Sequence, residues 1–592
     1  MRPEPERVVL GSLSDLQERG CLTGKAGSQP VCVFWHEGRP FALDDRCPHM
    51  GFPLHRGTVE NGLVTCHWHH ARFDLASGGT LNPFADDVRV YPVEVDADRV
   101  TIVIEAERPD PDRLAARLVE GLEQGLTLVS AKAVLGLLDA GVPAAEVVRV
   151  GVDFGTTYRA AGWGSGLTVL VAMANVLPRL DPADRPLALV HGMAFVSRDT
   201  RGRPPRFALK PLGAGGVAPE RLAGWYRRFI ETRAADPAER VLLTAIDAGA
   251  SPTAIDAGAS PTGIEAVMTA AATDHVFLDG GHTLDFTNKA FEALDLLGDS
   301  AAAQVLATLV AQTAAATRSE ESGRWRHPVD LLGLVADAVT RLPGLLAEGS
   351  ARREAGAWDG VAGLAEAVLG DDPSVICRAL CDAVAAGATH EQLGRAVAYA
   401  AALRLTRFHV QNDHGDWDVV HHAFTSANAL HQSLVRAPTA DALRGVLHNA
   451  MKVFLDRFLN VPAARAPGRV AADLGTGGDL GDLQACWDEQ GRVDEAGALA
   501  WRYLDAGGDP DRLVAALGRA LLAEDAQFHW FQTYEAAVRQ FSAWPPDSEE
   551  GFLILVGCAR FLAAHTPTRR ELAKVVATAT RLRRGEAIYE EE

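Results

Sequence analysis

The sequence lacks any long apolar run and is poor in cysteine. No stretch approaches the roughly 18 apolar residues that a membrane-spanning helix needs, so we expect no integral membrane segment. Residues 1–6 have no apolar core, so we expect no signal peptide there. The 8 cysteines are scattered over 592 residues, unlike those of a disulfide framework. These absences predict a reduced, cytoplasmic setting.

The chain also has fewer basic than acidic residues. The chain has 57 Lys and Arg against 77 Asp and Glu, which gives a net charge of −20. Such an acidic surface argues against nucleic acid or an anionic membrane as a partner. The apolar fraction of 47% and charged fraction of 23% are ordinary for a globular protein. A chain of 592 residues is too long for one core, so we expect roughly two to four domains.

Several familiar sites for cofactors are missing. There is no Glu-x-x-His motif for a di-iron bundle and no Cys-x-x-Cys-His motif for haem attachment. The glycine-rich residues 162–166 and 475–478 follow no predicted strand, so they do not support a dinucleotide-binding fold. Electrons should therefore reach this chain from a separate redox protein.

What is present is a group of cysteines and histidines near the N-terminus. The pattern C-x-H followed by C-x-x-H is formed by Cys47, His49, Cys66 and His69. These residue types could bind zinc. However, each loop supplies one thiolate and one imidazole, a spacing suited to a cluster of two different irons. In that arrangement the two cysteines hold one iron and the two histidines hold the other.

Residues 44–49 and 66–74 resemble the Rieske family in their flanks as well as in these four positions. The resemblance covers about the first hundred residues. It implies a small antiparallel β fold and one [2Fe–2S] cluster held by Cys47, His49, Cys66 and His69. Short apolar or alternating runs at 31–35, 41–43, 64–66, 88–91 and 100–104 agree with a β region over residues 7–106.

The cluster is predicted to have a low potential. High-potential Rieske proteins carry an extra cysteine in each loop, joined as a disulfide, and a Ser and a Tyr that donate hydrogen bonds to the sulfurs. The comparable positions here hold Phe52, Trp68, Ala71 and Phe73. None is a cysteine, and the side chains of Ala71 and Phe73 cannot donate. We therefore expect a potential near the bottom of the Rieske window, which extends from roughly −150 to +300 mV.

The rest of the chain is rich in Ala and Leu with helical periodicity, and it contains an internal repeat. Helices are predicted to end at Gly141, Gly258, Gly387 and Gly507. A second marker follows in each copy, at Asn175, Asn288, Asn428 and Glu535. Residues 244–252 are repeated at 253–261, which we interpret as a lengthened loop. The predicted fold is multidomain α+β, with a Rieske domain (1–106), a linker (107–113) and a two-lobed all-α domain (114–350 and 351–592).

Histidines recur at matching places in the copies. His282, His422 and His529 each lie six residues before a marker, and His191 and His448 occupy matching later helices. Imidazoles that converge from several helices could bind a metal, a haem or an aromatic substrate; alternatively, they cap and hydrogen-bond within a helical core. The mononuclear-iron motif of ring-hydroxylating oxygenases, Asp-x-x-His-x-x-x-x-His, is not completed: Asp418 and His421 are followed by Ser426.

Two functions remain open. Residues 190–192 and 421–430 resemble segments of the questin-oxidase-like family, which is linked to oxidative opening of polycyclic aromatic rings. The layout is also similar to long Rieske proteins that accompany uptake hydrogenases. We favour an electron carrier that serves a reductase, an oxygenase or a hydrogenase. The alternative is a self-contained oxygenase whose cluster feeds a site of His191, His282, His422, His448 and His529. A purely structural cluster is a third reading, and homo-oligomer formation is left open.

Overall fold

The computed structural model places antiparallel β-sheets in the N-terminal part and α-helices in the remainder. It describes residues 6–104, 110–158, 162–213, 216–249, 263–354, 356–412, 414–460, 463–464, 466, 479–586 and 588. Residues 107–109 of the predicted linker, the second repeat glycine Gly258, the second copy of the duplicated segment (253–261) and residues 475–478 lie outside this description. The predicted fold class, β-sheets followed by a large helical region, is confirmed.

The described strands form three antiparallel sheets, ordered β1-β10-β9, β2-β3-β4-β8 and β5-β6-β7. Their bounds are β1 (Glu6–Ser12), β2 (Cys21–Ala26), β3 (Gln29–His36), β4 (Arg39–Asp44), β5 (Thr58–Glu60), β6 (Leu63–Thr65), β7 (Arg72–Asp74), β8 (Val90–Tyr91), β9 (Val93–Asp96) and β10 (Arg99–Ile104). The predicted strands at 31–35, 41–43, 64–66 and 100–104 correspond to β3, β4, β6 and β10.

One α-helix lies within the region that was predicted to be β. Helix α1 (Leu13–Arg19) follows β1 directly. The Ser12 side chain accepts a hydrogen bond from the backbone N–H of Asp15, and Gly20 ends the helix at φ 75°. These local capping signals satisfy the free backbone groups at both ends of a short helix. No strand was predicted at residues 13–19, and these capping signals explain why the segment is helical.

The other described helices are α2 (Pro111–Gln124), α3 (Thr127–Asp139), α4 (Ala144–Thr157), α5 (Ser165–Val176), α6 (Arg185–Thr200), α7 (Pro219–Glu231), α8 (Ala235–Asp247), α9 (Ile264–Thr273), α10 (His282–Leu297), α11 (Ala302–Ala315), α12 (Leu331–Arg353), α13 (Val361–Val368), α14 (Pro373–Ala386), α15 (His390–Thr406), α16 (His414–Arg436), α17 (Leu443–Leu455), α18 (Leu480–Trp487), α19 (Val493–Asp505), α20 (Pro510–Ala523), α21 (Phe528–Phe541), α22 (Glu549–His565) and α23 (Glu571–Arg583). Among the described residues, no helix combines the length and the apolar character that crossing a bilayer requires.

Local sequence signals set many of these boundaries. Asp110, Asp372 and Asp509 each cap a helix that begins with proline, and each carboxylate accepts from backbone N–H groups of the first turn. Proline has no N–H and its φ is already helical, so it suits the first helical position. At the other end, Gly387 caps α14 with φ 102°. Helix starts and stops are therefore encoded locally in this chain.

The chain divides into two units by its internal contacts. The first is Met1–Val150 with Leu572–Glu592, and the second is Gly151–Glu571. The first unit holds the three sheets together with α2 and α3. The predicted boundaries of the Rieske domain, the linker and the two helical lobes remain predictions.

The four repeat markers lie on four helices that pack against one another in the second unit. The contacting pairs are α5 with α10, α10 with α16, α16 with α21, and α21 with α5. Asn175 on α5 donates to Glu292 of α10 at 2.7 Å and to Glu535 of α21 at 3.2 Å. Buried polar groups are stable only when they are hydrogen-bonded, so Asn175 and Glu535 are two markers that satisfy one another where these helices meet.

Candidate metal centres

The four residues of the N-terminal motif lie on two loops of the first unit. Cys47 and His49 follow β4, and Cys66 and His69 lie in the short connection between β6 and β7. The His49 and His69 rings meet edge to face with their centroids 4.7 Å apart. The Cys47 and Cys66 thiols share a hydrogen bond, which raises the pKa of Cys47 and lowers that of Cys66 to about 6. The structure thus brings two pairs together, cysteine with cysteine and histidine with histidine.

The two loops share one backbone pattern. In the first loop, the N–H of Cys47 donates to Phe52 O at 2.8 Å and the N–H of Gly51 donates to Cys47 O at 2.7 Å. In the second loop, Cys66 donates to Ala71 O at 2.8 Å and His70 donates to Cys66 O at 3.0 Å.

The residue that closes each turn has positive φ, 80° at Gly51 and 59° at His70. Left-handed backbone is natural for glycine and costly for histidine. The second loop therefore adopts the geometry of the first without a glycine at this position.

These residues fit a [2Fe–2S] cluster. The Nδ1 atom of His49 is buried and has no hydrogen-bond partner, which is expensive unless it binds something. Backbone N–H groups of His49 and Met50 point at the Cys47 sulfur, and those of Trp68 and His69 point at the Cys66 sulfur. Such donors stabilise negative charge on thiolates. A single zinc ion needs at least three ligand atoms close together. Among the described residues, the groups of three potential ligand atoms that lie within 4.8 Å of one another do not include the four residues of this motif.

Burial divides the motif into an inner and an outer side. Cys47 is 2% and Cys66 is 1% exposed, in a core that also contains Ala71 and Phe73. His69 is exposed, and the neighbouring Trp68 is 40% exposed. Burial and the nearby His69 lower the pKa of His49 to about 4. His69 therefore reaches the surface, whereas His49 is half-buried and the two cysteines lie inside.

The histidines predicted in the helical part separate into two groups. His282 at the start of α10, His422 on α16 and His529 on α21 converge, with one ring nitrogen of each within 4.8 Å of the others. Nε2 of His422 lies 3.0 Å from Nε2 of His529. Burial and mutual repulsion lower the pKa of His422 to about 2, and burial with repulsion from His282 lowers that of His529 to about 4. These rings are therefore unprotonated at neutral pH and available as ligands.

Two of the predicted histidines lie elsewhere. His191 is 1% exposed, its Nε2 lies 2.9 Å from Leu522 O, and its ring packs on Phe531. His448 is 5% exposed, and burial lowers its pKa to about 4. Neither belongs to a described group of three potential metal ligands. The structure thus brings three of the five predicted histidines together, His282, His422 and His529.

One further histidine, which was not among the predicted site residues, adjoins the three. His421 is fully buried, and neither of its ring nitrogens has a hydrogen-bond partner. Its Nδ1 lies 3.6 Å from Asp418 Oδ1, and Asp418, His421 and His529 form a second possible ligand group. The sequence feature that could have identified His421 is Asp418, whose carboxylate lies one helical turn before it.

The backbone before His282 is strained. Phe277 and Asp279 have φ of 46° and 47°, and Gly280 and Gly281 are also left-handed. Asp279 is held by Thr317, whose N–H and hydroxyl both donate to Asp279 Oδ1. A Cβ at Gly281 would lie 2.9 Å from both Phe277 and Ser426. Non-glycine residues in this conformation cost roughly 1–3 kcal/mol each and tend to occur at functional sites.

Comparison with known proteins identifies the class of the N-terminal site. The profile of the Rieske [2Fe-2S] domain matches residues 6–92. Through this domain the chain belongs to the Rieske [2Fe-2S] family, and the domain implies a [2Fe–2S] cluster.

The chain is similar to a Burkholderia cepacia anthranilate 1,2-dioxygenase ferredoxin subunit, with 33% identity over 87 residues, 14% of this chain and 81% of that protein. It is 33% identical over 82 residues to a Homo sapiens Rieske domain-containing protein, covering 13% of this chain and 52% of that protein. The chain thus spans about half of that human relative.

Among solved structures, the ferredoxin of carbazole 1,9a-dioxygenase from Nocardioides aromaticivorans IC177 is 23% identical. The match covers 18% of this chain and 100% of that chain, with a TM-score of 0.16.

Proposed function

We propose that this chain is a Rieske-type electron-transfer protein that exchanges single electrons with a separate redox protein. A bound [2Fe–2S] cluster supplies one-electron chemistry. The observation that carries the proposal is the division of the motif into a buried cysteine pair and a histidine edge that reaches the surface. Cys47 and Cys66 hold the inner side, and His49 and His69 provide the side that faces a partner.

The partner is a reductase, an oxygenase component or a hydrogenase. The similar ferredoxin subunit of a dioxygenase supports an oxygenase system, whereas the resemblance in layout to long Rieske proteins supports a hydrogenase. All eight cysteines are free, which agrees with a reducing, cytoplasmic setting.

Iron analysis with EPR of the dithionite-reduced chain tests this proposal. The expected result is two irons per chain and a rhombic Rieske signal. We expect Cys66→Ser to lose both, because a hydroxyl is a poor replacement for a thiolate ligand. The matched control is Cys377→Ser in α14, which should retain both. Absence of the signal after anaerobic reconstitution of the wild-type chain would refute the proposal.

A second candidate function is a self-contained oxygenase, and the convergence of His282, His422 and His529 favours it. Three unprotonated imidazoles from three helices suit a first-row transition metal with open coordination positions. The resemblance of residues 421–430 to the questin-oxidase-like family supports an aromatic substrate.

Metal analysis distinguishes the two candidates. The oxygenase requires a metal in excess of the two cluster irons, and it also requires turnover of a polycyclic aromatic compound with oxygen and an electron donor. A fully reconstituted chain that holds two irons and no other metal would exclude it.

A further inference from the structure

Within the first unit, side chains of α2 and α3 donate hydrogen bonds to the loops around the cluster site. On α2, the Arg117 guanidinium donates to Asp86 Oδ1 at 2.8 Å and to the carbonyls of Pro83 and Ala85, both at 2.7 Å. This segment also carries Phe84, whose ring lies 4.9 Å from that of His49. The Arg117 side chain therefore fixes the backbone on either side of Phe84, whose ring contacts His49.

Lys132 on α3 contacts the first ligand loop directly. Its Nζ donates to Pro48 O at 2.6 Å and pairs with Asp86 Oδ2 at 2.5 Å. Pro48 is the residue between Cys47 and His49. Lys132 is only 8% exposed, so its charge is poorly screened by water. A buried cation thus touches the peptide that joins two of the four proposed ligands.

Side chains from both helices, Arg117 on α2 and Lys132 on α3, stabilise the negative charge of Asp86. Burial opposes ionisation of this carboxyl, but Lys132 and Arg117 outweigh burial and hold its pKa below the usual value. Asp86 is therefore an anion at neutral pH, and it lies beside the cation that contacts Pro48. Two cations, Lys132 and Arg117, thus flank one anion, and the charges of Lys132 and Asp86 can each be removed separately.

We propose that Lys132 and Asp86 are positioning residues that set the reduction potential of the cluster. This rests on the proposed electron-transfer function. Lys132 lies in α3, outside the part of the chain that matches the Rieske domain. Reduction adds one electron from a partner protein and breaks no bond, so the centre gains one negative charge. A nearby cation stabilises that charge and a nearby anion destabilises it.

The test is EPR-monitored redox titration of the full chain with its cluster. Lys132→Met should shift the reduction equilibrium at least tenfold towards the oxidised form, which for one electron is a fall of about 59 mV. Asp86→Asn should shift it in the opposite direction. Lys132→Arg retains the charge and should stay within about threefold of wild type. Lys25→Met is the matched control, because Lys25 is an exposed residue of β2.

Opposite shifts in the two charge variants would establish electrostatic control. Shifts in the same direction, or no shift beyond threefold in either, would overturn it, because a merely structural clamp has no reason to respond to the sign of the charge. If Lys132→Met cannot hold its cluster, Asp86→Asn decides: a raised potential supports the proposal, and an unchanged or lowered one overturns it. A wild-type chain without a Rieske signal would refute the proposed function as well, whereas a normal signal with unshifted variants refutes only this inference.

Discussion

The Nε2 atoms of His422 and His529 lie 3.0 Å apart although the two residues belong to different helices, α16 and α21. Two neutral imidazoles facing each other can share one proton or bind one metal ion. His282 completes the group from α10. The approach is possible because α16 packs against both α10 and α21.

We predict that this group binds a divalent transition metal. His422→Ala and His529→Ala should each lower the affinity by at least the ~10- to 100-fold that loss of an outer-shell partner costs, because each removes a direct ligand. Equilibrium titration with Co²⁺, followed by its visible absorption, measures the loss. His327→Ala, at an exposed position of the same unit, should bind like wild type. Equal binding by all the variants would contradict the prediction.

A second prediction concerns pH and His191. Burial lowers the pKa of His191 from 6.5 to about 4. The unfolded chain therefore binds more protons than the folded chain between these values. The stabilisation is fully present above pH 6.5 and is lost as the pH falls towards 4. This residue alone should cost about 2 kcal/mol of unfolding free energy between pH 7 and pH 5.

His191→Gln cannot titrate and should remove that part of the pH dependence. Urea unfolding at pH 7 and pH 5 measures it. His327→Gln, at an exposed position of the same unit, is the control for replacing a histidine by glutamine. A His191→Gln variant as sensitive to acid as wild type would show that His191 does not stay neutral in the folded chain.

A third prediction concerns the buried charges of the repeat core. Lys289 pairs with Glu292 at 2.7 Å and with Glu535 at 2.8 Å, and all three are 1% exposed. Lys289→Met removes the nearer cation and leaves the two carboxylates with Arg539, which lies 3.2 Å from Glu535 and 3.9 Å from Glu292. The change should cost up to roughly 3–5 kcal/mol. Urea unfolding monitored by circular dichroism measures this, with the exposed Lys210→Met as control. Equal stability of the two variants would mean that the carboxylates find other partners or are protonated.

The fourth prediction concerns the potential of the cluster. Phe73 is fully buried in the core that contains Cys47 and Cys66. The resemblance to Rieske proteins implies that Phe73 stands where the high-potential members have a tyrosine. We therefore expect the added hydroxyl of Phe73→Tyr to donate to sulfur and raise the potential. A tenfold shift, about 59 mV for one electron, is the expected scale. Redox titration measures it, and Phe207→Tyr, at an exposed position of the second unit, should leave the potential unchanged.

The cluster motif could be predicted from the sequence because its chemistry is local. Cys47 and His49 are two residues apart, and the turn at each loop is closed by hydrogen bonds between residues four and five apart. Helix starts at Asp110, Asp372 and Asp509 could be read for the same reason, since a cap depends on neighbours in the chain. Nearby residues meet in every compact arrangement of the chain, so their pattern already carries the geometry.

Which histidines come together could not be predicted in this way. His191 and His448 occupy matching helices in the sequence, as His282, His422 and His529 do, yet only the latter three converge. Which face of a helix points inward depends on how it packs against its neighbours. The contact of Lys132 with Pro48, 84 residues away, is likewise invisible in the pattern. Residue types and local turns follow from the chain itself, whereas contacts between distant side chains are decided by tertiary packing, because burial and close approach are collective properties of the folded protein.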